Sequence, residues 1–142
     1  MTMRLFVAFS VLGVFCLPAF SQYGIFADIP FVFGAGERTL AAGRYRLDSA
    51  TTWSPAVMTV TAVESRERIF LPTSPAGKGA YKAIRKDGAQ LVFHRYGDRY
   101  FLSQIYIPAN DWVRRLPVSK SERELARISP EPKVVRLVVR NR

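Results

Sequence analysis

The sequence predicts an all-β, antiparallel barrel or tight sandwich of about seven or eight strands, with one short helix in the C-terminal region. Three observations carry this. Short runs rich in Val, Ile, Phe and Tyr recur at hairpin-like spacing, polar and apolar residues alternate within several of them, and only one segment has helix-start chemistry.

The first candidate strand is Ile29-Pro30-Phe31-Val32-Phe33, closed by Gly34-Ala35-Gly36. Pro30 cannot donate a ladder hydrogen bond, so this strand belongs at an edge or begins at the proline. Ala42-Gly43 turns into Arg44-Tyr45-Arg46-Leu47, which alternates with period two. Val57 to Val63 is β-branched and alternating, and Arg68-Ile69-Phe70-Leu71 is its return strand, stopped by Pro72. Thr73 to Gly79 reads as an exposed loop, and Ala80 to Arg85 as a weak strand before the Lys86-Asp87-Gly88 turn.

The best hairpin pairs Gln90–Tyr96 with Arg99–Ile107 across Gly97-Asp98. Glycine as the first of two loop residues suits a type II′ turn, whose twist matches the strands it joins. That register sets Tyr96 opposite Arg99, Arg95 opposite Tyr100, His94 opposite Phe101, Phe93 opposite Leu102 and Leu91 opposite Gln104. Leu91, Phe93, Tyr100 and Leu102 then form one apolar face, and His94, Phe101, Ile105 and Ile107 the other. The helix is expected from about Lys120 to Ile128, because Ser119-Lys120-Ser121-Glu122 and Ser121-Glu122-Arg123-Glu124 both fit a capping box and Pro130 ends the segment. Its apolar stripe, Val118, Leu125 and Ile128, is thin, so it must dock to be stable. Trp112 is placed in the loop after Pro108, and Val134 to Val139 forms the last strand.

Residues 1–21 stand apart. Arg4 supplies a positive charge, an apolar run extends from Leu5 to Leu17, and Ala19 and Ser21 place small residues before a cut at Gln22. This order is that of a secretory signal peptide. The apolar run falls short of the roughly 20 residues a membrane span needs, so no transmembrane anchor is expected after cleavage. The expected location is periplasmic or secreted. Phe15 precedes Cys16, where a lipoprotein signal needs a small residue. Residues 22–142 then form a single β-rich domain without a thiol, which excludes disulfides, zinc–thiolate sites and cysteine nucleophiles.

Cleavage removes one of 21 basic residues and none of the 11 acidic ones, so the net charge falls only from +10 to +9. The excess concentrates after Trp112, where nine Lys or Arg face Glu122, Glu124 and Glu131. On a helix, Lys120, Arg123 and Arg127 share one face, and Arg114 and Arg115 enter just before it. These five residues are the candidate anion-binding set. The expected partners are an anionic surface polymer, lipid head groups or a protein. The plainer reading of the stripe is a solvated helix face.

Other chemistry finds little support. His94 is the only histidine, so a metal cluster or triad cannot rest on two imidazoles, and Asp98 or Asp87 would be its orienting carboxylate. Asp28, Asp48, Asp87, Asp98 and Asp111 sit beside turns or strand ends, where Asp serves turn geometry. Trp53 and Trp112 are the platforms a sugar ligand would use, although burial in the core is the commoner role. No serine lies in a nucleophile motif, and nucleic acid is disfavoured by export and by the lack of an RNP pattern. The sequence thus points to no enzyme, cofactor or metal. The favoured reading is a non-catalytic envelope or secreted module, with a calycin-like barrel carrying a small apolar ligand as the alternative.

One ordered series of residues adds to this. It comprises Asp28-Ile29-Pro30-Phe31-Val32-Phe33, Leu40-Ala41-Ala42-Gly43-Arg44-Tyr45, the segment from Leu91 to Ile105, Leu116-Pro117, and the segment from Ser119 to Ala126. The series resembles a family of small exported bacterial proteins of unknown function. The family pattern has Leu-Pro-Ala-Gly where Leu40-Ala41-Ala42-Gly43 stands, and often Trp where Tyr106 stands. The resemblance implies a predominantly β exported domain and brings no activity, cofactor or catalytic residue with it.

Overall fold

The computed structural model describes residues 24–51, 54–77, 88–108 and 112–139. Its described part is mostly strand, with one sheet curled into a half-barrel and a second sheet beside it. In chain order the strands are β1 (Ile25–Ile29), β2 (Phe33–Ala35), β3 (Arg38–Leu40), β4 (Gly43–Ser49), β5 (Val57–Ala62) and β6 (Arg68–Pro72). They continue with β7 (Ser74–Pro75), β8 (Ala89–Tyr96), β9 (Arg99–Ile107), β10 (Trp112–Arg115) and β11 (Lys133–Val139), with helix α1 (Lys120–Ile128) before the last strand. Seven of these strands have five residues or more. The other four are short additions that supply local pairing. The expected weak strand over Ala80 to Arg85 lies outside the described residues.

The first sheet runs β1-β4-β5-β6, antiparallel throughout. The second runs β11-β8-β9-β10-β7, and β2 joins it through β9 with β3 alongside. The β2–β9 pair is parallel, the one departure from antiparallel pairing among the described strands. The core lies between the sheets. Ile25, Ile29, Leu47, Met58, Val60 and Leu71 from the first sheet form one cluster with Phe33, Leu91, Phe93, Leu102 and Ile105 from the second. Full burial of each such side chain contributes about 1.5–3 kcal/mol. Alternation dictates which residues enter: β1 buries Ile25, Ala27 and Ile29 and exposes Phe26 and Asp28.

Two expectations about strands need correction. Ile29 to Phe33 is not one strand. Pro30, Phe31 and Val32 carry the chain from β1 in one sheet to β2 in the other, because the proline has no N–H to continue a ladder. Trp112 is not in a loop but begins β10, which pairs with the end of β9. The expected loop after Leu71 also contains the two-residue β7, whose partners are Arg114 and Arg115.

The hairpin turn is as expected, with Tyr96 opposite Arg99 and Gly97 at a φ of 59°. The register holds to Phe93–Leu102 and then shifts, so that Val92 faces Gln104 and Leu91 faces Ile105. Ser103 is therefore the extra residue of a β-bulge. The bulge flips the second half of β9 and brings Ile105 and Ile107 into the inter-sheet core rather than beside His94. It also lies where β9 changes outer partners. Its first half pairs with β2 and its second with β10. At Gly34 on β2, an added Cβ would lie 2.7 Å from the Phe101 ring, so only glycine allows that close approach.

Candidate functional site

Helix α1 forms where the capping chemistry places it. The Ser119 Oγ accepts from the Glu122 N–H at 3.1 Å, and Ser129 N–H closes the other end on the Leu125 carbonyl at 2.9 Å. A second carboxylate serves the first turn, since the Lys120 N–H donates to Glu37 Oε1 at 3.1 Å. Glu37 lies in the turn between β2 and β3, so this contact ties the helix start to the core strands.

The docking of α1 is unusual in its chemistry. Its one fully buried residue is Glu122, while Leu125 and Ala126 are half-buried. The Glu122 carboxylate does not turn back to complete the capping box. Oε1 lies 2.8 Å from His94 Nδ1 on β8, and the carboxylate also takes the Tyr96 hydroxyl hydrogen bond. Burial first, then the Glu122 charge and that hydrogen bond, push the Tyr96 phenol above its ordinary pKa. Asp98, expected as a carboxylate for His94, instead sits near Arg95 at 3.9 Å, and Asp87 lies outside the described residues.

Because His94 points away from the Phe93 side of β8, α1 covers the outer face of the second sheet. The register places further residues on that face. Arg136, Val92, Gln104 and Arg115 form one cross-strand line, with an arginine on β11 at one end and one on β10 at the other. Strands are about 4.8 Å apart, so this line spans roughly 14 Å. Lys120, Arg123 and Arg127 lie on the solvent side of α1, and all are exposed, as are Arg115 and Arg136.

The candidate anion-binding set therefore divides. Arg115, Lys120, Arg123 and Arg127 lie on the helix-bearing side of the molecule. Arg114 does not join them, because successive strand residues point to opposite faces and its register partner Ile105 is in the core. Its guanidinium donates to Thr73 Oγ1 at 3.0 Å and to the Thr73 carbonyl at 2.9 Å. Burial lowers the Arg114 pKa from its ordinary value. Arg136 was missed by reading the basic stretch as helix alone. The alternation Val134-Arg136-Val138 in the last strand is the signal that places it outward.

Ion pairs occur away from this face. Arg44 and Arg46 of the first sheet face Asp28 and Asp48 at 3.9 and 2.9 Å, and Arg38 of β3 faces Glu67 at 3.5 Å. Among the described residues no carboxylate pairs with Arg115, Lys120, Arg123, Arg127 or Arg136. The remaining candidates are dispersed. Asp28 and Asp48 are used by these arginines, Trp53 and Asp111 lie outside the described residues, and no group of three or more His, Cys, Asp or Glu among the described residues could hold a metal. No described helix is long and apolar enough to cross a membrane. No family model, curated protein or solved structure matches the chain.

Proposed function

We propose that the protein is an exported, non-catalytic β module that holds an anionic partner on its helix-bearing face. One observation carries the reading. Arg115, Lys120, Arg123 and Arg127 share that face, and their exposed side chains have no ion-pair partner among the described residues, whereas Arg44 and Arg46 of the first sheet are paired with Asp28 and Asp48. Unpaired guanidinium forks suit phosphate or sulfate groups, which they can grip with two parallel hydrogen bonds. The signal-like segment at residues 1–21 and the resemblance to small exported bacterial proteins support an envelope or secreted setting, with mature protein beginning at Gln22.

The test is retention on a phosphorylated matrix across a salt gradient. Changing Arg115, Lys120, Arg123 and Arg127 to Gln should abolish retention at physiological salt. Changing Arg38, Arg44, Arg66 and Arg68 to Gln removes the same charge elsewhere and should only weaken it. Equal loss in both variants would show that net charge alone is at work.

A further inference from the structure

The helix docks through a carboxylate and only part of its apolar stripe, since Leu125 and Ala126 are half-buried beside Glu122. Val118 and Ile128, expected to face the sheet, are 46% and 84% exposed, while Glu122 is buried. Leaving a side chain the size of isoleucine in water forgoes the gain from burying it, and burying a carboxylate adds a desolvation cost. His94 and Tyr96 offset that cost and fix α1 in this orientation. Ile128 is consequently held outward on the solvent arc of α1, with the exposed Glu124 one turn before it and Lys120, Arg123 and Arg127 farther round the helix.

The adjoining strand repeats the pattern. On β11, Val134 is the register partner of His94 and is 57% exposed, and Val138 is 45% exposed on the same face, with Arg136 between them. On β11 a cation thus stands between two exposed apolar side chains, and Ile128 adds a third apolar side chain from the outward arc of the helix. A soluble polyanion would use the cations and leave Ile128, Val134 and Val138 in water. An anionic bilayer uses both, because head groups pair with the cations and shallow apolar side chains enter the interface.

We infer that the anionic partner of this face is a membrane surface rich in acidic phospholipid, met with α1 in the interfacial plane and Ile128 inserted. This rests on the anion-binding reading above and names its ligand. The chain lies on such a surface and does not span it.

Vesicle co-sedimentation of the mature protein tests the inference, using phosphatidylcholine with and without 30% phosphatidylglycerol (a chosen composition, about one lipid in three). Binding should need phosphatidylglycerol and should weaken as salt rises. The variant with Ile128, Val134 and Val138 all changed to Ser should bind these vesicles roughly tenfold less, while its retention on the phosphorylated matrix stays unchanged. A second readout uses Ile128→Cys carrying an environment-sensitive dye, a clean label because Cys16 is the only cysteine and precedes Gln22. Its emission should shift to the blue on phosphatidylglycerol vesicles and stay put with inorganic polyphosphate. Undiminished vesicle binding by the triple Ser variant, or a dye that stays in water on vesicles, overturns the membrane inference. Matrix retention that survives in either case leaves the anion-binding reading standing with a soluble polyanion as ligand. Loss of matrix retention in the wild-type chain itself removes both.

Discussion

Glu122 on α1 and His94 on β8 meet at 2.8 Å between carboxylate oxygen and Nδ1, with only 6% of the Glu122 side chain exposed. This contact joins the helix to the hairpin, beside the half-buried Leu125 and Ala126. Glu122→Ala should therefore destabilise the protein by about 2–3 kcal/mol, because His94 and Tyr96 lose a shared partner in a desolvated position. Glu124→Ala, at an exposed position of the same helix, should stay within about 0.5 kcal/mol of wild type. Urea denaturation midpoints measure both. Equal effects would mean that α1 is docked by something other than the carboxylate.

The Gly97 turn gives a second check. Its φ of 59° is strained for a β-branched residue, so Gly97→Val should cost about 1–3 kcal/mol. No atom lies within 4 Å of an added Cβ there, so the penalty is conformational and not a clash. A melting temperature unaffected by the substitution would show that the two-residue turn has another geometry.

Alkaline pH provides a third. Tyr96 and Tyr45 both have phenol pKa values raised above 10.0, chiefly by burial, with Glu122 and Glu67 respectively adding to it. The unfolded chain gives up these protons first, so the native state binds more protons above about pH 10 and its stability must fall there. The contribution is complete below pH 10 and is lost as pH rises through the native values. Urea midpoints should decline as pH rises above the ordinary phenol value of 10.0, and less steeply in Tyr96→Phe. A flat profile in that window would contradict the buried hydroxyl–carboxylate contact.

Much of the architecture was legible because it depends on local chemistry. The capping box and Pro130 located the helix at Lys120–Ile128, and the Gly97-Asp98 turn set the first four residue pairs of the hairpin. What was hidden depends on non-local contacts. A bulge at Ser103 leaves no mark in an alternating apolar sequence, yet it exchanges the faces of Ile105 and Ile107. The break at Pro30 looked like a strand start because the apolar run continues through it, and only the second sheet reveals the crossing.

The candidate site was legible in part for the same reason. Helical spacing correctly grouped Lys120, Arg123 and Arg127, but treating Arg114 and Arg115 as one pair ignored that strand neighbours diverge. The buried partner of Glu122 lies 28 residues away on another element, and neither the capping pattern nor the lone histidine pointed to it. Arg136 joins the face only through the β11 register.

The most direct test of the helix-bearing face is an amide chemical-shift titration of the mature protein with inorganic polyphosphate at near-physiological salt. The largest changes should fall at Arg115, from Lys120 to Arg127, and at Arg136, with little change at Arg44, Arg46 and Arg68. Changes centred on those three arginines of the first sheet, or spread evenly over the surface, would contradict it.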